Sequence, residues 1–278
     1  MKDAFGDRMK EYEKQFDYRV AADCSTYMRL DGRSFSKFTK GLPRPYDPVF
    51  SQMMVDVTIE LVKEFKVDIG YTQSDEISLG WKRIDFSKLP PTYSGILPEF
   101  PFFSGRIDKL TSVVSSFATA KLNQLCYARG GEYRYRAMEM LPSFDARIFQ
   151  PATTNLLGYE EVELINAFLW REQDCAKNSV SMAARAVFSH SQLQGKQRDE
   201  MVAMMAEQGV VYEDYPDFFK RGTYVRKELF ESVMGLDVPE QYRTTEPVIR
   251  SRVVAIPYEK IRECETTMDR VKFWFPEN

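Results

Sequence analysis

Helical spacing and strand alternation take turns along this chain. From 48 to 65, "PVFSQMMVDVTIELVKEF" places Val49, Phe50, Met53, Met54, Val57, Leu61, Val62 and Phe65 on one face of a helix. Ahead of it, "STYMRLDG" (25–32) reads as a short strand ending at Asp31-Gly32, after a polar, helical lead-in. Behind it, "VDIGYTQSDEISLGWK" (67–82) is two alternating apolar runs around a pair of acids, the pattern of a hairpin. A second long helix is expected over 105–128, "GRIDKLTSVVSSFATAKLNQLCYA", with small residues along one face suited to close packing on a sheet. "PSFDARIFQ" (142–150) returns to strand alternation. Helical patterns follow over 158–189 and 192–209, and the tail holds two further strands, "GTYVRKELFES" and "EPVIRSRVVAIP".

Strand, helix, hairpin, helix, strand puts helices on one face of an antiparallel sheet. The expected fold is therefore α+β, the ferredoxin-like arrangement shared by polymerase palms, nucleotide cyclases and RNA-recognition modules, with additional C-terminal helices and strands. Residues 1–150 should form the palm-like core and 151–278 an extension packed on it as one compact unit. Fold alone does not choose among those functions.

Composition narrows the choice. The chain has 278 residues, 44% of them hydrophobic, enough for a substantial core. Lys and Arg number 38 against 41 Asp and Glu, a net charge of −3, so nucleic acid would have to be met by a local basic patch. The four cysteines lack zinc-site spacing and read as reduced thiols of a cytoplasmic protein. The lone histidine, His190, sits near a helix end and reads as a capping or surface residue. The charged N-terminus has no signal-peptide core, and no apolar run is long enough to span a membrane.

The candidate chemistry lies in the acids. Asp31 ends the first strand and Asp75-Glu76 sit in the hairpin; if those strands are neighbours, two carboxylates converge at one edge of the sheet. Close carboxylates stay ionised together when a divalent cation lies between them, and Mg²⁺ suits a site with few protein ligands. Gly32 would let a main-chain carbonyl approach the same ion. Neighbouring strand residues face opposite ways, so Asp75 and Glu76 should have unequal roles. Taken alone, S-D-E reads as a hydrated turn. Arg33, Lys37 and Lys40 follow the first acid, and Arg106 and Lys109 open the long helix, which together suggest a triphosphate site. Neither G-x-x-x-x-G-K-[ST] nor G-x-G-x-x-G is present.

Taken in order, "MRLDGRSFSKFTKG", "GYTQSDEISL", "FFSGRIDKLTSVVSSFATAKLN", "SFDARIF" and "WREQDCAKNSVSMAARAVFS" resemble the tRNA-His guanylyltransferase family over residues 25 to 225. That family is similar to palm polymerases but adds nucleotides to an RNA 5′ end. The resemblance implies Asp31, the Gly32 carbonyl and Asp75 as ligands of two Mg²⁺ ions, with Glu76 essential in support. It implies triphosphate contacts from Arg106 and Lys109, and a phosphate-facing loop holding Arg33, Lys37 and Lys40, with Ser74 beside the nucleotide. ATP or GTP would activate the 5′-monophosphate of tRNA or another RNA, and a homotetramer is expected.

One departure bears on substrate. Where the eukaryotic enzymes carry H-I-N-N-L-Y-N, this chain has "AKNSVSM": Ala176, Ser181 and Met182 replace the histidine, tyrosine and last asparagine, and Asn178 matches. The chain looks more like the bacterial and archaeal relatives, which implies template-directed addition to 5′-truncated tRNAs. Lys177 and Asn178 are candidate substrate contacts. Lys220, Arg221, Arg226 and Lys227, with Tyr224 among them, offer a backbone-binding patch or else an exposed strand. The competing readings are a palm-fold nucleotide cyclase or dinucleotide synthase, and a non-catalytic RNA-binding module with aromatic residues on an open sheet face.

Overall fold

The computed structural model describes residues 3–89, 98–152, 161–232 and 247–276. A short helix α1 (Ala4–Lys14) leads into β1 (Thr26–Arg33) and a four-residue helix α2 (Phe35–Phe38). Helix α3 (Pro48–Glu64) starts where Asp47 accepts the Phe50 N–H at 2.8 Å, with Pro48 in its first turn, a strong local start signal. Strands β2 (Ile69–Gln73) and β3 (Glu76–Trp81) form the expected hairpin, joined by Ser74 and Asp75 alone. Helices α4 (Ile107–Arg129) and α5 (Gly131–Met140) precede β4 (Ser143–Phe149). Then come α6 (Val162–Val187), α7 (His190–Leu193), α8 (Arg198–Glu207), α9 (Asp217–Arg221), β5 (Thr223–Ser232), β6 (Val248–Ile256), α10 (Tyr258–Arg262) and α11 (Thr267–Trp274).

The strands form one antiparallel sheet in the order β4-β1-β3-β2-β5-β6. Strand alternation sends Met28, Leu30, Ile77, Leu79 and Val225 to one face, where they pack with Leu61 and Val62 of α3 and Leu110, Val114, Ala118 and Leu122 of α4. This is the palm-type sandwich the chain order implies.

The opposite face is covered as well. Tyr27, Tyr71 and Tyr224 lie on it, fully buried with Leu164 and Phe168 of α6. β2 and β3 are consequently buried at almost every residue, not every second one. Gly80 makes the approach of α6 possible: a Cβ there would stand 2.7 Å from the Phe168 ring. Helix α6 is also where the C-terminal helices dock. The buried Glu172 carboxylate accepts from Tyr224 Oη, Tyr258 Oη and Arg270, so one α6 residue holds β5, α10 and α11. The tyrosines that an RNA-binding sheet would expose are therefore present but capped.

Among the described residues no helix is long and apolar enough to cross a membrane. The four cysteines are unbridged, and His190 is exposed at the start of α7.

Candidate active site

β1 and β3 pair antiparallel with Asp31 opposite Glu76, the adjacency on which convergence of the acids depends. Ser74 takes a left-handed φ of 49°, which lets two residues close the hairpin and swings Asp75 back toward β1. Gly32 is what admits it: a Cβ at Gly32 would lie 2.9 Å from the Asp75 Cβ and 2.5 Å from the Phe35 ring. Asp31, Gly32, Asp75 and Glu76 thus meet at one end of the sheet.

The three acids have different surroundings. Glu76 is bound by the buried Arg171 of α6 and by Gln73 Nε2 at 3.0 Å. Asp31 has the Arg29 guanidinium at 3.9 Å. Asp75 accepts only from the Ser74 hydroxyl at 3.1 Å and its own backbone N–H. Burial pushes its carboxyl up to about 6, and the neighbouring Asp31 and Glu76 carboxylates add to the rise.

A half-buried carboxylate without a cation, beside a second carboxylate, is a donor set that a hard divalent cation relieves. Among the described residues no three His, Cys, Asp or Glu side chains gather for a metal. Mg²⁺, which keeps most of its shell as water and substrate oxygen, fits this sparse set; zinc does not.

Asp75 and Glu76 open onto a cleft of about 810 Å³ between the hairpin turn, the segment from Ser36 to Phe50, α6 and Phe218-Phe219; Asp31 and Gly32, beside them in the sheet, do not line it. Lys40, Arg44 and Arg185 also line it, and Asn178 and Met182 form part of the α6 wall. Asn178 donates to Asp174 Oδ2 at 2.9 Å, and Asp174 in turn holds Arg171 at 2.9 Å. A hydrogen-bonded chain therefore runs from Glu76 through Arg171 and Asp174 to the cleft wall.

Of the basic residues read from sequence, Lys40 reaches the cleft, while Arg33, Lys37 and Lys177 are exposed beside it. Arg106 and Lys109 are not brought to the carboxylates. Arg106 is bound to Asp17 and Asp108, each at 3.0 Å, and Lys109 acts on the same Asp17. Thr119 is the α4 residue level with Phe144, which pairs with Gly32. Thirteen residues of helix separate it from Arg106, about 20 Å at 1.5 Å per residue. The long helix points its N-terminus at the other end of the sheet.

The basic patch over 220–227 is corrected too. Tyr224 is buried, Lys220 Nζ donates to the Glu213 carbonyl at 2.6 Å, and Arg226 stacks on Phe273, 4.4 Å from its centroid. Strand alternation sends Lys227 to the other side. Arg221 is half-buried in α9, so no continuous cationic surface forms. Conversely, Arg44, Arg171 and Arg185 are site residues that sequence reasoning missed. For Arg171 a signal existed: in "WREQDC" it stands three residues before Asp174, one helical turn away.

The family model for tRNA-His guanylyltransferase matches residues 6–152, more than half of the chain and the whole of the β1–β4 core. The chain belongs to the tRNA-His guanylyltransferase family. Members of this family are nucleotidyltransferases. An uncharacterized protein of Acanthamoeba polyphaga mimivirus is 31% identical over 237 residues, covering 82% of this chain and 78% of that protein. A bacterial tRNA-His guanylyltransferase-like protein solved in complex with ATP superposes with a TM-score of 0.70 at 27% identity, covering 96% of this chain and 99% of the other. Its structure in complex with GTP gives 0.64 at 26%, with the same coverage. The family's palm-type fold accounts for the β1–β4 core.

Proposed function

We propose that this protein adds nucleotides to the 5′ end of tRNA or another 5′-monophosphorylated RNA, using ATP or GTP for activation. The meeting of Asp31 and Gly32 with Asp75, which lines a cleft large enough for a nucleoside triphosphate, carries this reading. Asp31, the Gly32 carbonyl and Asp75 would hold two Mg²⁺ ions. When bound, Mg²⁺ supplies charge stabilisation for the attacking and leaving oxygens of an in-line displacement.

The reaction has two displacements. An oxygen of the RNA 5′-monophosphate attacks the α-phosphorus of ATP or GTP and pyrophosphate leaves. The 3′-hydroxyl of an incoming nucleotide then attacks the RNA's own 5′-phosphorus, and the activating nucleotide leaves as its monophosphate. Lys40, Arg44 and Arg185 in the cleft lining supply positive charge for the phosphates, and Ser74 Oγ holds the Asp75 carboxylate in position. Arg171 fixes Glu76, and Asn178 presents an amide to whatever lies along the α6 wall. The chemistry is assigned to residues 1–150, with 151–278 forming the far wall of the cleft.

Loss of the His, Tyr and last Asn positions at Ala176, Ser181 and Met182 supports general 5′-end addition over dedicated tRNA-His modification. A homotetramer remains the expected assembly. The RNA-binding module reading is weakened because α6 occupies the sheet face such a module would use.

The test is to incubate the protein with 5′-monophosphorylated truncated tRNA, labelled nucleotides and Mg²⁺. Extension of the 5′ end that disappears in Asp75→Ala is expected. No extension, or extension that survives Asp75→Ala, overturns the proposal.

A further inference from the structure

Helix α6 buries the middle of the sheet but leaves β4 bare on the same side. Alternation turns Asp145, Arg147 and Phe149 to that side, all exposed, with the Phe149 ring 4.8 Å from Tyr27, itself buried against Phe168 of α6. The register of β1 with β4 sorts these side chains into rows. Asp31 stands opposite Asp145, Arg29 opposite Arg147, and Tyr27 opposite Phe149. Two residues of strand, about 6.8 Å, separate one row from the next.

Like charges directly opposite across a sheet repel, and exchanging the two β4 charges would give two cross-strand ion pairs instead. The sheet keeps them segregated. Each arginine meets only the acid two places along its own strand, Arg29 at 3.9 Å from Asp31 and Arg147 at 3.9 Å from Asp145, too long for a hydrogen bond. The Arg29 side chain is only 16% exposed, yet among the described residues neither guanidinium has a hydrogen-bonded partner. A row of acids is relieved by a cation, and a row of arginines with unused donors by an anion such as phosphate. Trp170 of α6 stands by the arginine row, 52% exposed, with the Arg29 guanidinium 6.0 Å and the Arg171 guanidinium 4.7 Å from its centroid. An indole held by two cations yet half open to solvent, near the exposed Phe149 ring, is a surface on which bases stack.

We propose that Arg29, Arg147, Phe149 and Trp170 form the surface on which the 5′-terminal segment of the RNA lies. A phosphodiester rests on the arginine row, bases stack on Trp170 and Phe149, and the 5′-phosphate is carried one row further, to Asp31. None of these residues lines the cleft, whereas Glu76 does, and its partner Arg171 stacks on Trp170. The acids thus divide two surfaces. One is a walled cleft of nucleotide size, and the other is open, so that a long polymer can lie on it with only its end at the acids. Approach from two sides is what an in-line displacement between two substrates requires. The inference rests on the proposed 5′-end addition and names where its RNA substrate sits.

Binding of a 3′-labelled, 5′-monophosphorylated truncated tRNA, followed by fluorescence anisotropy with no nucleotide present, reads this surface apart from the chemistry. Trp170→Ala should raise the RNA Kd about tenfold with the salt dependence unchanged, and Trp170→Tyr should recover most of the loss. Arg147→Ala should raise Kd about tenfold at low salt and make the slope of log affinity against log salt shallower by about one. Both alanine variants should bind ATP as the wild type does, which shows that they are folded and that a free nucleotide is not the occupant. Wild-type RNA affinity in both variants overturns the assignment and leaves 5′-end addition standing. An equal loss of ATP affinity, or wild-type protein that binds no RNA, overturns it as well. Failure of 5′ extension with this binding pattern intact would count against the activity and not against the surface.

Discussion

Arg171, buried under α6, closes an ion pair on Glu76, the residue directly opposite Asp31 in the sheet. The same guanidinium reaches Asp174 at 2.9 Å and stacks on Trp170, 4.7 Å from its centroid. One side chain therefore ties the acidic hairpin to the helix that walls the cleft. Glu76 is committed to this contact, and Asp75 is the cleft-lining acid left without a cation.

Removing Arg171 leaves the Glu76 and Asp174 carboxylates without their cation in a partly desolvated place. Such uncompensated charges cost several kcal/mol, and Arg171→Ala should lower unfolding free energy by about 3 kcal/mol in urea titrations at neutral pH. Combining Glu76→Gln with Arg171→Met should recover part of that loss, because the more buried of the two carboxylates is then neutral and only the partly exposed Asp174 lacks its cation. A single-variant loss below 1 kcal/mol contradicts the pairing.

Asp75 carries the opposite cost. Its carboxyl rises from 3.8 to about 6 on folding, so the folded state holds the proton more tightly than the unfolded chain. Its contribution to stability therefore falls as pH climbs from about 4 to about 6, and the deficit persists above that. Asp75→Asn should be more stable than wild type at pH 7.5 by about 2 kcal/mol, with the gain gone near pH 4. Mg²⁺ should narrow the gap by stabilising the wild type alone. A variant that is less stable at pH 7.5, or a gain that ignores pH, rules the charge account out.

These relations were unequally legible in the sequence. The hairpin around Ser74-Asp75 and the helix at 48–65 follow from period alone, and the register Asp31 to Glu76 realises the adjacency that the acids required. What period could not show is which end of a long helix lies at the site. Arg106 and Lys109 looked like phosphate ligands because a helix N-terminus favours anions, yet packing of α4 on β4 sends that end away and Asp17 occupies it. Arg226 and Lys227 likewise read as one patch until β5 paired on both sides and put them on opposite faces. Local rules give elements; only tertiary pairing gives the neighbours of a charge.

Lys40 offers a cleaner test of the phosphate side of the cleft, because it is exposed and joins no ion pair among the described residues. Lys40→Met should leave unfolding free energy within about 0.5 kcal/mol of wild type. Losing one charge contact to a triphosphate should raise the nucleotide KM about tenfold. An unchanged KM in steady-state assays removes Lys40 from the nucleotide site.

Gly32 allows the geometry of the carboxylates to be tested without removing any charge. A methyl group there collides with the Phe35 ring and with the Asp75 Cβ, at 2.5 and 2.9 Å. Phe35 is buried and packed against Phe38, Phe50 and Phe144, so it has little room to yield. Asp75 sits in a two-residue turn and is the softer neighbour. Gly32→Ala should therefore displace Asp75 from Asp31, costing about 1–3 kcal/mol of stability through overpacking. Displacing a reacting constellation by about 1 Å can lower rate about a hundredfold, and 5′-nucleotidylation should fall by that order in single-turnover assays. Because all the acids remain, the Mg²⁺ concentration needed for half-maximal rate should rise in parallel. Wild-type rates in a folded Gly32→Ala protein would mean that the close approach of Gly32 and Asp75 does not set the catalytic geometry.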